Sequence, residues 1–212
     1  MTWPFEGNSQ FGEDLWIAEN YVIEEDGVMV DVGASDGVTG SNSLLFERLG
    51  WWCLCIEPDP RHHESLIRSR KTCELVAVSD VAGTRDLWMH PHRPSRSSLV
   101  PSEAVQYKPL PVHVVTLRDL LRRYLVKHID ILDVDVEGHE LAVWGSLDLS
   151  VLRPSLVIIE YADNRPESSC DQICGRLTGD GYELVHRTPA NLLFQCRRRP
   201  LERRRMKEVK SE

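Results

Sequence analysis

The sequence predicts an α/β fold built on a mostly parallel sheet, with an antiparallel pair of strands at its C-terminal end. Short apolar runs typical of buried strands alternate with segments of helical periodicity along the chain. A glycine-rich turn joins the first of these strands to a helix. Only a short turn at 187–190 separates the last two strand patterns, which is typical of a hairpin.

A helix over about 11–24 is the first predicted element. Its apolar stripe includes Ala18 and Tyr21, and acidic residues occupy its first turn. Ser9 and Gln10 precede it, either as a plain cap or as a segment that closes over a ligand site.

The other elements follow in order from the same periodicities. Buried strands are predicted at 28–31, 52–56, 74–78, 129–134, 156–159, 182–186 and 191–196. Helices are predicted at about 44–49, 61–70, 117–125, 141–147 and 168–177. Pro60 suits the first turn of the second of these, and Thr116 is the expected N-cap of the third.

A proline-containing stretch, 90–111, lies between two short additional strands at 84–89 and 112–115. Prolines disfavour regular structure, and long ordered loops are often functional. We therefore expect an irregular lid over the active site.

The loop 33–40 is predicted to bind a cofactor, because ligands of parallel α/β sheets bind at the carboxyl ends of strands. Gly33, followed by Ala34, allows a positive φ and a close backbone approach. The following helix offers unpaired N–H groups near Ser41 and Asn42. The alternative is an ordinary turn in a structural domain.

The charge of this loop indicates which cofactor fits. Ser35 stands where the dinucleotide fingerprint needs its second glycine, which disfavours a nicotinamide oxidoreductase. Asp31 and Asp36 place negative charge where a pyrophosphate would be repelled. S-adenosylmethionine (SAM), with an amino group, a sulfonium and a single carboxylate, fits such an acidic strand end.

Two further strand ends carry residues suited to a nucleoside. Glu57 ends the second strand about 20 residues past the glycine loop, where an acid commonly binds both ribose hydroxyls. Asp80, next to Ser79, could accept from the adenine amino group. The alternatives are a solvated Glu57 and an Asp80 that only shapes the turn before Gly83.

The segment 129–140 is predicted to be the catalytic centre, since its strand should lie beside the first one. Asp135 and His139 are candidate general bases for a hydroxyl nucleophile, and His139 could equally be a helix cap. Asp135, Glu137 and Glu160 could instead hold a divalent cation, although strand-end acids often only cap helices.

The net charge of −8 is unevenly distributed. Residues 197–212 carry eight Lys or Arg and three Asp or Glu, a net of +5, which leaves −13 on the rest. So acidic a body argues against nucleic-acid binding. We expect one domain over 1–196 and a disordered tail over 197–212, with a weak anionic docking arm as the alternative.

The composition favours a cytoplasmic protein. No apolar run approaches the roughly 18 residues of a membrane span, and the N-terminal residues lack the pattern of a signal peptide. The six cysteines are therefore expected to stay reduced.

Six blocks between about Ser9 and Glu160 resemble the FkbM family of SAM-dependent methyltransferases. They are DVGASDGVTGSN, GWWCLCIEPDP, AVSD, VTLRDLL, LDVDVEGHE and RPSLVIIE. The resemblance implies a Rossmann-like class I methyltransferase fold, a seven-stranded mostly parallel sheet with helices on both faces. It also implies O-methylation of a hydroxyl on a sugar, a glycan or a secondary metabolite.

The resemblance also implies roles for individual residues. Asp31, Gly33 and Asn42 would frame the methionine moiety, Glu57 the ribose, Ser79 and Asp80 the adenine, and Asp135 would face the methyl group. Residues after Glu160 match no block, so the acceptor is not implied. A non-catalytic SAM- or nucleotide-binding module is the rival, and the intact 135–138 motif disfavours it.

Overall fold

The computed structural model describes residues 6–23, 26–101, 105–162 and 164–203. The strands are β1 (Val28–Val32), β2 (Trp52–Ile56), β3 (Thr72–Glu74), β4 (Ala77–Val78), β5 (Gly83–Met89), β6 (Lys108–Val115), β7 (Ile131–Val134), β8 (Leu156–Glu160), β9 (Tyr182–Arg187) and β10 (Asn191–Cys196). The helices are α1 (Glu13–Asn20), α2 (Leu44–Arg48), α3 (Pro60–Ser69), α4 (Leu117–Arg123), α5 (Glu140–Gly145) and α6 (Cys170–Gly179).

Seven strands form the main sheet in the order β3-β2-β1-β7-β8-β10-β9. The pairs from β3 to β8 are parallel, and β10 runs antiparallel to both β8 and β9. The predicted mostly parallel sheet with an antiparallel C-terminal pair is therefore confirmed. β7 lies beside β1, as predicted, so that the carboxyl ends of these two strands meet at one edge.

Alternate residues of the central strands pack on opposite faces of the sheet, because strand side chains point up and down in turn. Val30 and Leu132 belong to a core with α4, α5 and α6. Met29 and Ile131 belong to a second core with Ile17 of α1 and residues of α2. The predicted helices on both faces are confirmed.

The predicted strand 74–78 is wrong, because this segment divides between two sheets. Thr72–Glu74 pairs with β2 at the edge of the main sheet. Ala77–Val78 pairs instead with β6, in a second sheet of order β4-β6-β5. The break between them turns the chain toward the loop that follows β4.

The predicted irregular stretch 90–111 is too long at its C-terminal end. β6 begins at Lys108 and pairs with β5, so that Pro109 faces Trp88 and Pro111 faces Asp86. Successive N–H groups of a strand point to opposite sides, so two prolines spaced two residues apart both lack an N–H on the same side. The hydrogen bonds to β5 on the other side are kept. Residues 102–104 lie outside the described residues.

The first helix is shorter than the predicted 11–24. Gly12 adopts a left-handed conformation with φ of 82°, so the helix begins at Glu13, and Tyr21 is extended. The predicted end at Glu24 lies outside the described residues. The predicted cap of α4 is confirmed, since Thr116 accepts from the Asp119 N–H at 3.1 Å.

The start of the predicted tail packs against the domain. The Val22 N–H donates to the Glu202 carbonyl at 2.8 Å, and Arg203 bridges to Tyr21. Residues 204–212 of the predicted tail lie outside the described residues. Within the described ranges, no helix has the length and apolar character needed to cross a bilayer.

Candidate functional site

A cleft of about 700 Å³ opens at the carboxyl ends of β1, β7 and β8. The glycine loop, the strand ends and the N-terminal segment all contribute to its walls. Six of the lining residues are Asp31, Gly33, Asn42, Asp133, Asp135 and Glu160. The structure therefore brings Asp31, Gly33 and Asn42 to the same cleft as Asp135.

Gly33 is the tightest point of this arrangement. Its φ is +97°, and a Cβ added there would lie 1.7 Å from the Asp135 carbonyl oxygen. The Gly33 and Ala34 N–H groups both donate to the Ile56 carbonyl, at 2.9 and 3.1 Å. The loop is thus fastened to β2 while its backbone touches the end of β7, which only glycine permits.

Two buried carboxylates lie side by side beneath the cleft. Asp31 and Asp133 are register partners on β1 and β7, each only 4% exposed. Ser43 donates its hydroxyl to Asp31, and Asn42 donates to Asp133 at 2.9 Å. Burial raises the pKa of both acids, and the Asp31 charge raises that of Asp133 further.

Sequence reasoning missed Asp133. Its one signal is an acid in the middle of an otherwise apolar strand pattern, but without the β1–β7 register nothing links it to Asp31. The buried Asp133 Oδ1 and Asn42 Oδ1 have no hydrogen-bond partner in the described part of the chain. Two unpaired buried acceptors suit a ligand that carries N–H donors.

Glu57 is buried at the end of β2 and holds two loops together. Its carboxylate accepts from the Ser35 N–H at 3.0 Å and the Asp59 N–H at 2.7 Å. Burial raises its pKa to about 7, against the lowering effect of these two hydrogen bonds.

Ser41 lies in the wall of the broad cleft, where its hydroxyl accepts from the Leu44 N–H at 3.2 Å.

A narrow pocket of about 40 Å³ continues from Gly33 and Glu57 toward β4. His139 lines this pocket, and its Nε2 lies 2.8 Å from the Ser79 hydroxyl. Burial lowers the pKa of His139. Asp80 accepts from Ser79 at 2.8 Å and forms an exposed ion pair with Arg85. His139 therefore lies on the Ser79 side, apart from the broad cleft.

Asp135, Glu137 and Glu160 meet on the other side, with one oxygen of each within 4.8 Å of the others. Asp135 is exposed to the cleft, but protein surrounds it on its other sides. This burial and the charges of Glu137 and Glu140 raise its pKa to about 8. Burial and Asp135 raise the pKa of Glu160 as well. Arg165 pairs with Glu137 at 2.6 Å and lies 4.0 Å from Glu160.

Residues 31–184 match the family model described as a methyltransferase FkbM domain. The chain belongs to this family. FkbM methyltransferases take their methyl group from SAM, so SAM-dependent methyl transfer is the activity of this family. The predicted resemblance is confirmed over most of the chain.

Several solved structures are similar in fold. A chain of a fibrillarin/Nop5p complex is 9% identical, with 92% of this chain and 81% of that chain covered and a TM-score of 0.49. An rRNA methylase from Clostridium thermocellum is 8% identical, with coverages of 90% and 98% and a TM-score of 0.49. A precorrin-6y C5,15-methyltransferase from Geobacter metallireducens GS-15 is 12% identical, with coverages of 86% and 87% and a TM-score of 0.41. No curated protein matches the sequence significantly.

The N-terminal segment closes one side of the cleft of this FkbM methyltransferase. Ser9 forms a bridge to Gly40 in the glycine loop, and Asn8, Ser9 and Gln10 line the cleft. Asp14, fully buried, accepts from the Asn8 N–H and the Ser9 hydroxyl, both at 2.6 Å. A carboxylate in the first turn of α1 thus fixes the segment before the helix.

Proposed function

We propose that this FkbM methyltransferase transfers the methyl group of SAM to a hydroxyl oxygen of a small molecule or glycan. The observation that carries the proposal is the Asp135 carboxylate at the floor of the cleft. A pKa raised to about 8 suits a general base, since an efficient base has a pKa near the operating pH.

The methionine moiety of SAM is proposed to lie along the glycine loop. Asp31 and Gly33 frame it, Ala34 and Ser41 line it, and Asn42 lies beneath it. The unpaired oxygens of Asp133 and Asn42 support an ammonium group at this position, because each can accept an N–H bond. Because of its unpaired oxygen, we add Asp133 to the residues predicted from the sequence to bind SAM.

The nucleoside is proposed to extend from Glu57 toward Ser79 and Asp80. Glu57 would accept from the ribose hydroxyls, and the narrow pocket between Glu57 and His139 would receive the adenine. Asp80, which is exposed and accepts from Ser79, keeps its proposed role as acceptor from the adenine amino group. The contact between His139 and the Ser79 hydroxyl favours a role for His139 in shaping the adenine pocket, away from the proton transfer.

SAM supplies an electrophilic methyl carbon on a positive sulfur. The chain aligns this carbon with the acceptor oxygen, which supplies most of what an in-line displacement requires. Asp135 takes the proton of the hydroxyl as the oxygen forms its bond to carbon. The electron pair of the breaking C–S bond stays on sulfur, so the products are a methyl ether, S-adenosylhomocysteine (SAH) and a protonated Asp135.

A divalent cation is the alternative way to activate the hydroxyl, and Asp135, Glu137 and Glu160 have the oxygen ligands for one. Arg165 already brings positive charge to Glu137. We therefore propose the metal-free route. Turnover that survives a chelator supports it, whereas turnover lost to the chelator and restored by Mg²⁺ would assign these three acids to a metal.

The test combines calorimetry and turnover. We expect the pure chain to bind SAM and SAH but not NAD, and to release SAH with a panel of hydroxylated acceptors. Asp135→Asn should abolish this release while SAH still binds, and Asp86→Asn, which changes an exposed acid on β5, should leave turnover unchanged.

Other outcomes identify the rival functions. SAM binding with no turnover on any acceptor favours a non-catalytic binding module. NAD binding without SAM binding favours an oxidoreductase. Turnover retained by Asp135→Asn would move the base to another residue, with His139 the next candidate.

A further inference from the structure

Two arginines on the lid face the cleft without an acidic partner. Arg93 and Arg96 are exposed and line the cleft of about 700 Å³. Among the described residues, neither side chain forms a hydrogen bond or an ion pair. Most arginines near the site are engaged: Arg61 with Asp59, Arg70 with Glu47 and Arg165 with Glu137.

The base of the lid is anchored, so these arginines are held at the cleft. Asp59 is fully buried and accepts from the Arg61 guanidinium at 2.6 Å and the Ser97 hydroxyl at 2.7 Å. Arg61 also donates to the His90 carbonyl at 2.8 Å. The Ser98 hydroxyl donates to the Val136 carbonyl at 3.2 Å, which ties the lid to the loop of Asp135.

A second cavity, of about 520 Å³, adjoins the cleft on the side away from the glycine loop. His90, Arg96, Tyr107 and Arg165 contribute to its lining, and Arg96 lines both spaces. This volume lies in the range of about 300–1,000 Å³ that is typical of small-molecule sites. The Nη1 atom of Arg165 is buried beside this cavity and has no hydrogen bond to any described residue.

Within the part of the chain that the structure describes, the charged residues that line this cavity are Arg96, Arg165 and Glu167, so arginines outnumber acids there. The body of the chain is strongly acidic, and such a field repels anions unless local cations overcome it. Guanidinium groups bind phosphate, sulfate and carboxylate through paired N–H donors. Glu137 and Glu160 line the cleft as well, but within the described residues both lie near Arg165 and neither forms an ion pair with Arg93 or Arg96.

We propose that the second cavity receives the methyl acceptor and that this acceptor carries an anionic group. Arg96 would bind this group where the cavity meets the cleft, with Arg165 beside it and Arg93 on the cleft side. The inference rests on the proposed methyltransferase function and narrows its substrate class. The reacting hydroxyl would then lie on the cleft side of the anionic group, within reach of Asp135.

The experiment measures the binding of inorganic phosphate by calorimetry, with and without saturating SAH. We expect wild-type chain to bind phosphate, and Arg96→Gln and the double variant Arg93→Gln/Arg96→Gln to weaken it by about tenfold or more, as for loss of a charge-assisted hydrogen bond. Arg68→Gln is the matched control, since Arg68 is an exposed arginine of α3 paired with Glu64. Each variant's melting temperature checks that it is folded.

The SAH titrations separate this inference from competing ones. If Arg96→Gln weakens SAH as much as phosphate, the arginines serve the cofactor's own carboxylate, and the acceptor proposal is overturned. Phosphate binding that is absent, or equal in all four proteins, also overturns it. Phosphate binding that depends on Arg96 in a chain that fails to bind SAH keeps the anion site and removes the methyltransferase function.

Discussion

At the scale of single residues, Gly33 sets how closely the segments that follow β1 and β7 approach each other. Its left-handed φ and its contact with the Asp135 carbonyl leave no space for a Cβ. We expect Gly33→Ala to destabilise the fold by roughly 3–5 kcal/mol, the range of severe single substitutions. Chemical denaturation measures this.

Gly40→Ala is the matched control, because Gly40 also has a positive φ, of +70°, but its nearest neighbour to an added Cβ is 3.8 Å away. At Gly40 we expect a loss of stability of only about 1–2 kcal/mol, the cost of placing a residue with a Cβ in a left-handed conformation. Equal losses for the two variants would show that the contact with Asp135 is not what requires glycine.

Glu57 is the second residue whose role has a sharp test. We expect Glu57→Ala to weaken SAH binding by about 1–3 kcal/mol, the cost of leaving bound hydroxyls without their acceptor. Glu57→Gln keeps the volume and should also bind SAH less tightly. Glu64→Ala removes a highly exposed acid of α3 and should leave the affinity unchanged. SAH affinity that is unchanged in both Glu57 variants would limit Glu57 to fastening the loops of Ser35 and Asp59.

Most of the residues gathered at the cleft could be predicted from the sequence, because each follows an apolar strand directly. Glu57 and Asp135 follow β2 and β7 directly, Asp31 follows the apolar run 28–30, and parallel strands bring their carboxyl ends to one edge. Asp133 could not be predicted: like Asp31 it lies within its strand, but no glycine loop follows it, and its meaning comes from pairing with Asp31. Arg165 could not be predicted either, because no motif surrounds it and only the tertiary fold brings it to Glu137.

At the scale of elements, the same reasoning fails where the chain changes sheets. Residues 74–78 form a continuous strand pattern, and periodicity carries no sign that Glu74 and Ala77 belong to different sheets. Likewise, Pro109 and Pro111 indicate a loop from the sequence alone. The structure shows that both lie in β6, on the side where their missing N–H groups have no strand to pair with. Local pattern thus identifies extended segments but not their partners.

The lid is the element whose position must change for the proposed cofactor to bind. The pocket beside Glu57 has about 40 Å³, space for a few water molecules but not for a purine. Residues of the segment 94–99 other than Arg96 form one wall, with Ser97 and Leu99 among them. We therefore expect SAH to displace this wall near Leu99, while the hydrogen bonds of Ser97 and Ser98 keep the base of the lid, with Arg96, at the cleft.

Hydrogen exchange with and without SAH measures this movement. Amide exchange should change in a peptide that covers 94–99 and stay constant in one that covers α4, which lies outside the cleft and the narrow pocket. Identical exchange of the lid peptide in both states, with SAH bound, would place the adenine elsewhere.

At the scale of the whole molecule, the parallel sheet concentrates carboxyl groups at one edge. Glu57 has a pKa of about 7 and Asp135 of about 8, and the pKa values of Asp31, Asp133 and Glu160 are also raised. The same concentration that suits a cationic cofactor therefore makes the ligand-free fold sensitive to pH.

The sign of this sensitivity follows from proton linkage. Between the unfolded pKa near 4 and the raised folded value, the folded chain keeps a proton that the unfolded chain has lost, so rising pH favours unfolding. Histidines with lowered pKa, such as His62 and His139, act in the opposite direction, but only below about pH 6.5. The carboxyl groups therefore dominate between about pH 6.5 and 8.

We expect the melting temperature of the ligand-free chain to fall as pH rises through this window. Asp135→Asn removes the group whose pKa is about 8 and should flatten the upper part of the fall, while Asp86→Asn should reproduce the wild-type curve. SAM, which brings a sulfonium and an ammonium to these acids, should raise the melting temperature more at pH 8 than at pH 6.5. A wild-type melting temperature that rises through the window would mean that these carboxyl groups are ionised in the folded chain, and Asp135 could then not be a base with a pKa near 8.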